Sequence, residues 1–285
     1  MGLRTIHALI MMVALTASVP ARAQNGASTE RLPVDVELVL AVDASRSMEP
    51  FEQKIQRDGY VAALRHPQVI KAILEGLHGR VAITYVEWAG FGFHRVIIPW
   101  TLVDSQQAAE KLAAALDQPV PPPQSRTSIS AAIDFSAGLF DKSGFKGQRR
   151  IIDISGDGPN NHGRPVIDAR ADALEMGITI NGLPLMTRGS LFSGWDVKDL
   201  DQYYGNCVIG GPGAFMIPVT SWEQFPEAVR RKLMLELAGD PAASGAMQAG
   251  NAGDPPVLKV QAKPSYDCMS GERVWQQRMD DWEWR

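Results

Sequence analysis

Residues 34–42, Val-Asp-Val-Glu-Leu-Val-Leu-Ala-Val, constrain this chain more than any other segment. The run is aliphatic and largely β-branched, with polar side chains only at Asp35 and Glu37. A strand formed here carries apolar side chains on both faces, so it must lie inside a sheet that is covered above and below. It leads directly into Asp43-Ala44-Ser45-Arg46-Ser47. One carboxylate and two hydroxyls therefore stand at alternate positions just past the carboxyl end of a buried strand.

The rest of the body alternates in the same manner. Residues 51–64 have helical patterning. Residues 80–88 and 95–100 read as strands, joined by a segment at 90–94 short enough for a hairpin. Residues 105–116 form an amphipathic helix with Ala108, Leu112, Ala115 and Leu116 on one side, and a stiff proline stretch at 119–123 precedes a helix at 128–140. A second buried strand at 150–154 ends in Ser155-Gly156-Asp157-Gly158. The helix at 165–176 has proline in its first turn and glycine past its end. A strand at 178–185, a helical turn at 199–204, a strand at 214–219 and a helix at 222–237 complete the series. The last helix spaces Trp222, Phe225, Val229, Leu233 and Leu237 along one face. Alternation of this kind predicts an α/β domain over residues 32–239. Its sheet is doubly wound and mostly parallel with one antiparallel edge strand, and helices cover both faces. Ligands in such sheets bind at the carboxyl ends of the strands, near a topological switch point.

The flanks read differently. Arg4 and His7 precede an apolar stretch at 8–19, and Ala21-Arg22-Ala23 places small residues at the positions a signal peptidase reads. That stretch is about a dozen residues, short of the ~20 needed to span a bilayer. The expectation is a signal peptide over 1–23 cut after Ala23, a short lead over 24–31, and a periplasmic or secreted mature chain with no transmembrane segment. The two cysteines, Cys207 and Cys268, would then meet an oxidising compartment. A bridge between them closes a loop of about sixty residues, contributing roughly 4 kcal/mol in the chain-entropy view. Two unpaired thiols, or pairing with another chain, are the alternatives. Residues 240–264 are rich in Ala, Gly, Pro, Ser and Asp and read as a flexible linker. The tail at 265–285 is too short to fold alone, and either docks on the body or stays free. A formal net charge of −4 argues against a nucleic-acid partner.

Hard oxygen donors such as those at 43–47 suit Mg²⁺, Mn²⁺ or Ca²⁺ rather than zinc or copper. The strand at 150–154 delivers Asp157 to the same sheet edge, and Thr127 lies in a loop just before a helix. Each residue also has a plainer role open to it. Ser45 and Ser47 could cap the following helix, Thr127 could cap its own, and the aspartates could hold backbone amides in tight loops. Arg46, Arg126, Asn160 and Asn161 stand where they could rim the crevice, though the asparagines equally suit turns.

These residues resemble the metal-ion-dependent adhesion site of the von Willebrand factor A-type domain. That family carries Asp-x-Ser-x-Ser after the first strand, a Thr in a later loop and an Asp after the fourth strand. Asp43, Ser45, Ser47, Thr127 and Asp157 match in order. Within the family the chain is most similar to the exported bacterial group called DUF1194. The supporting runs are Val86-Glu87-Trp88, Pro99-Trp100-Thr101, Gly156-Asp157-Gly158-Pro159-Asn160-Asn161, Gly177-Ile178-Thr179-Ile180-Asn181-Gly182 and Val208-Ile209-Gly210-Gly211-Pro212-Gly213. One departure is Arg126, where many relatives place glycine before the loop threonine. The resemblance implies a divalent cation, Mg²⁺ first, with a coordination position open to the Asp or Glu of a protein partner. The competing reading is a metal-assisted hydrolase acting on phosphate esters, with Asp43 as nucleophile. Ser45 stands where that chemistry would want an acidic acid/base, which favours binding over catalysis.

Overall fold

The first strand, β1 (Leu32–Asp43), is the third of seven in a single sheet ordered β3-β2-β1-β4-β5-β6-β7. The computed structural model describes residues 30–119, 122–187, 199–238, 254–259 and 266–283. Those from Arg31 onward belong to one compact unit. The segment read as a signal peptide lies outside the described residues, as does most of the stretch read as a linker.

The chain runs from β1 through α1 (Pro50–Arg65), α2 (Pro67–Leu74), β2 (Val81–Trp88), β3 (His94–Val103) and α3 (Gln106–Leu116). It continues through α4 (Ile129–Phe140), β4 (Phe145–Gly156), α5 (Val166–Glu175), β5 (Ile178–Pro184) and α6 (Leu200–Tyr203), and a wide turn at Tyr204–Val208. Then come β6 (Phe215–Met216), α7 (Phe225–Leu237), β7 (Leu258–Lys259) and α8 (Ser270–Glu283). Strand β1 pairs in parallel with β2 and β4, β4 with β5, and β5 with β6. The hairpin strand β3 is the antiparallel edge expected from the sequence. A two-residue antiparallel strand, β7, closes the other edge from within the stretch read as linker.

The two-faced burial of β1 divides its side chains between two cores. Val36, Leu38, Leu40 and Val42 pack against α1, α2, α3 and α7, while Val39 and Ala41 face α4, α5 and the Tyr204–Val208 turn. Its two polar residues are satisfied at the strand's start. Asp35 accepts from the amides of His78 (2.8 Å) and Arg80 (3.3 Å). Glu37 accepts from the Ser143 hydroxyl and the Gly147 amide. The strand expected at 214–219 is shorter, because Pro218 has no N–H to give. The ladder resumes beyond it through Val219 N, which donates to Pro184 O at 3.0 Å.

One buried charge cluster ties α7 to the sheet. Lys232 lies 2.8 Å from Asp153 of β4 and also pairs with Glu236, and all three side chains are at most 1 % exposed. Asn181 Nδ2 donates to Glu236 at 2.9 Å. Burial pushes both carboxyls up, Glu236 to about 7. Two carboxylates share one ammonium, so only one can be fully balanced.

Candidate metal centre

The residues singled out after β1 meet those after β4. Asp43 Oδ1 accepts from the Ser45 amide at 2.7 Å, the hydroxyls of Ser45 and Ser47 are bonded at 2.7 Å, and Ser47 Oγ donates to Asp157 Oδ1 at 2.7 Å. With the Ser47 proton given to Asp157, Ser45 supplies the donor between the two hydroxyls. Their lone pairs are left for another ligand. The plainer roles fall away for three residues. Helix α1 is capped at Glu49, whose amide donates to Glu52 at 2.7 Å, so Ser45 and Ser47 are not its caps. Helix α4 is capped by Ser128, which accepts from Ala131 N, so Thr127 is not its cap. Asp43 does hold the Ser45 amide, through Oδ1.

Thr127 lies in a loop stitched to the first. Gln124 N donates to Ala44 O at 3.0 Å, and Arg46 N donates to Gln124 O at 2.5 Å. The two asparagines fasten the same loop to the end of β4. Thr127 N donates to Asn161 Oδ1 at 3.0 Å, and Asn161 N returns a bond to Thr127 O at 2.9 Å. Asn160 is fully buried, accepts from Ser130 N and donates to Arg164 O. They are braces between the two loops rather than simple turn residues. Arg46 is exposed, and Arg126 holds a left-handed backbone with φ of 71°.

Three observations test whether this crevice fits a cation. Asp43 Oδ2 is buried and has no hydrogen-bond partner. Burial, and then the charge of Asp157, push the Asp43 carboxyl up to about 8. A carboxyl in this setting ionises less readily than usual, and a divalent cation would offset both causes. The backbone is also shaped for close approach. A Cβ on Gly156 would lie 3.1 Å from Asp43 Oδ2, 3.0 Å from the Tyr204 hydroxyl and 3.3 Å from Trp88. The donor set is oxygen alone, and among the described residues no cluster of three or more His, Cys, Asp or Glu side chains offers an alternative. The residues fit a hard divalent ion.

Sequence reasoning passed over several residues at this site. Tyr204 places a buried hydroxyl, without a hydrogen-bond partner, beside Gly156, and the Asp43 and Asp157 charges raise its pKa further. Gln56 of α1 donates to Asp43 O at 3.3 Å. The tail is docked. Cys207 and Cys268 form a disulfide with Cα atoms 5.5 Å apart, and α8 follows from it. No described helix is long and apolar enough to cross a membrane.

A sheet of this order, with hydroxyls and carboxylates gathered at the carboxyl ends of β1 and β4, has the von Willebrand factor A-type fold. The chain belongs to the family described as Protein of unknown function (DUF1194), whose profile matches residues 33–241. Among solved structures it is similar to the pilus adhesin SpaC from Lactobacillus rhamnosus GG, with a TM-score of 0.53 and 12% identity over 72% of this chain and 31% of that one. It is also similar to proximal thread matrix protein 1 from the mussel byssus, with a TM-score of 0.50 and 14% identity over 73% and 49%. The chain thus spans less than half of either protein's own length, and at these identities the likeness is one of fold. No curated protein sequence matches the chain.

Proposed function

We propose that this domain is an exported, metal-dependent protein-binding module. Asp43, Ser45, Ser47, Thr127 and Asp157 would hold a divalent cation, Mg²⁺ in the first instance, with Mn²⁺ or Ca²⁺ as substitutes. The ion would leave a position for an Asp or Glu side chain presented by a protein partner. The observation that carries the reading is the buried, unpartnered Asp43 Oδ2 beside Asp157, in a crevice otherwise furnished with hydroxyls. That a pilus adhesin shares the fold supports a binding role. Export rests on the apolar leader and the Ala21-Arg22-Ala23 pattern. Residues 32–239 would form the body of the module, and residues 240–264 would link it to the tail while lending the sheet its edge strand β7.

Bound metal supplies charge. The chain's own residues supply geometry: Gly156 lets β4 close on Asp43, and Asn161 holds the Thr127 backbone. Mg²⁺ or Mn²⁺ at a hundredfold its Kd should raise the melting temperature by roughly 5–10 °C, and Asp43→Ala should abolish the shift. Absence of any shift with Mg²⁺, Mn²⁺ and Ca²⁺ would refute the site. Capture from a cell-envelope extract, with and without EDTA, would then identify the partner. Steady phosphate-ester turnover lost in Asp43→Ala would favour a hydrolase instead.

A further inference from the structure

Helix α8 lies beyond the family-matched region, yet it ends up on the rim of the candidate metal centre. Its contacts run in a line toward the Thr127 loop. The Tyr266 ring meets the Tyr203 ring edge-on at 6.4 Å, and Cys268 is bonded to Cys207. Gly271 then approaches the loop after β4 so closely that a Cβ there would lie 2.1 Å from Asn160 O and 2.9 Å from Pro159. Glu272 Oε1 accepts from Asn160 Nδ2 at 2.8 Å. One turn on, the Arg126 guanidinium lies 4.1 Å from the centroid of the Trp275 ring.

The last two contacts land on residues that shape the ligand loop. Asn160 fastens the first turn of α4, and Asn161 beside it holds Thr127. Arg126 immediately precedes Thr127 and is the one non-glycine among the described residues with positive φ, at 71°. A left-handed backbone is unfavourable for a residue bearing a Cβ, and persists where surrounding contacts hold it. The contact of the guanidinium with the Trp275 ring is one such contact.

We propose that α8 is a positioning element of the metal centre, with Trp275 acting through Arg126 and Glu272 through Asn160 to keep the Thr127 loop in its cation-binding form. This rests on the reading of the site as a metal centre. The affinity for the ion then depends on a tail helix that supplies no ligand, delivered to its place by a disulfide.

The test is titration of Mn²⁺ alone into the chain, followed by calorimetry. Trp275→Ala should weaken Mn²⁺ binding roughly three- to tenfold, the range a cation–π contact supports, and Trp275→Phe should recover most of it. In an Arg126→Gly background the same Trp275→Ala change should have no effect, because glycine adopts positive φ without help. Failure of the unmodified protein to bind Mn²⁺ would overturn the metal-centre reading, and this inference with it. Binding that Asp43→Ala removes but Trp275→Ala leaves intact would overturn the inference alone. So would an equal loss from Trp275→Ala in both backgrounds.

Discussion

Replacing Glu236 by glutamine tests the buried cluster that fastens α7 to the sheet. Glu236 is fully buried and pushed up from 4.5 to about 7, first by burial and then by Asp153, whose claim on Lys232 it shares. The sign follows from the direction of the shift. The unfolded chain releases this proton near pH 4.5 while the folded chain keeps it until about pH 7. Stability is therefore highest below the unfolded value and is lost as pH rises through neutrality. For a shift of this size the loss between pH 5 and pH 8 is roughly 2–3 kcal/mol. Glutamine keeps an oxygen for Asn181 to donate to, but it has no proton to lose. Urea unfolding at both pH values in EDTA, which removes any contribution from divalent ions in both proteins, isolates the difference. The native protein should lose roughly 2–3 kcal/mol more than Glu236→Gln across that interval. Parallel stability profiles would show that Lys232 balances both carboxylates, and would refute the argument.

Lys232→Met leaves Asp153 and Glu236 facing each other without a cation and should destabilise the fold by about 3–5 kcal/mol, measured by the same unfolding curves. Gly156→Ala sets a methyl group against Asp43 Oδ2 and the Tyr204 hydroxyl, so the divalent-ion shift in melting temperature should shrink or vanish. Gly271→Ala meets a backbone oxygen that cannot yield and should lift α8, read as increased amide exchange over the helix with the sheet unaffected. A thiol assay on the native, unreduced protein should find no free cysteine.

Much of the sheet could be read from side-chain patterning, because β1 and β4 declare two-sided burial in consecutive residues. The cluster proposed to hold a cation is legible for a related reason. Asp43, Ser45 and Ser47 belong to one short segment, and Asp157 follows a strand that reads as buried. The remainder depends on contacts between distant residues. Lys232 and Glu236 have the spacing of an exposed ion pair on an amphipathic helix, and only Asp153, some eighty positions earlier, makes them interior. Sequence patterning puts Tyr204 at the end of a helical turn. The chain there widens into a looser turn that swings the hydroxyl toward Gly156. Helix α8 carries few apolar residues, and no periodicity betrays a docking surface made of one disulfide, one close-approaching glycine and one stacked tryptophan.

The Cys207–Cys268 bond also makes a covalent ring of everything between those residues. A protease that cuts the ring once leaves the molecule in one piece on a non-reducing gel, and α8 stays at its post. The severed helix could leave only after a second event, reduction of the bond. Until then its local concentration at the rim remains that of a tethered ligand, on the order of millimolar. Both a cut in the ring and reduction of the bond are therefore needed before the helix can separate from the body.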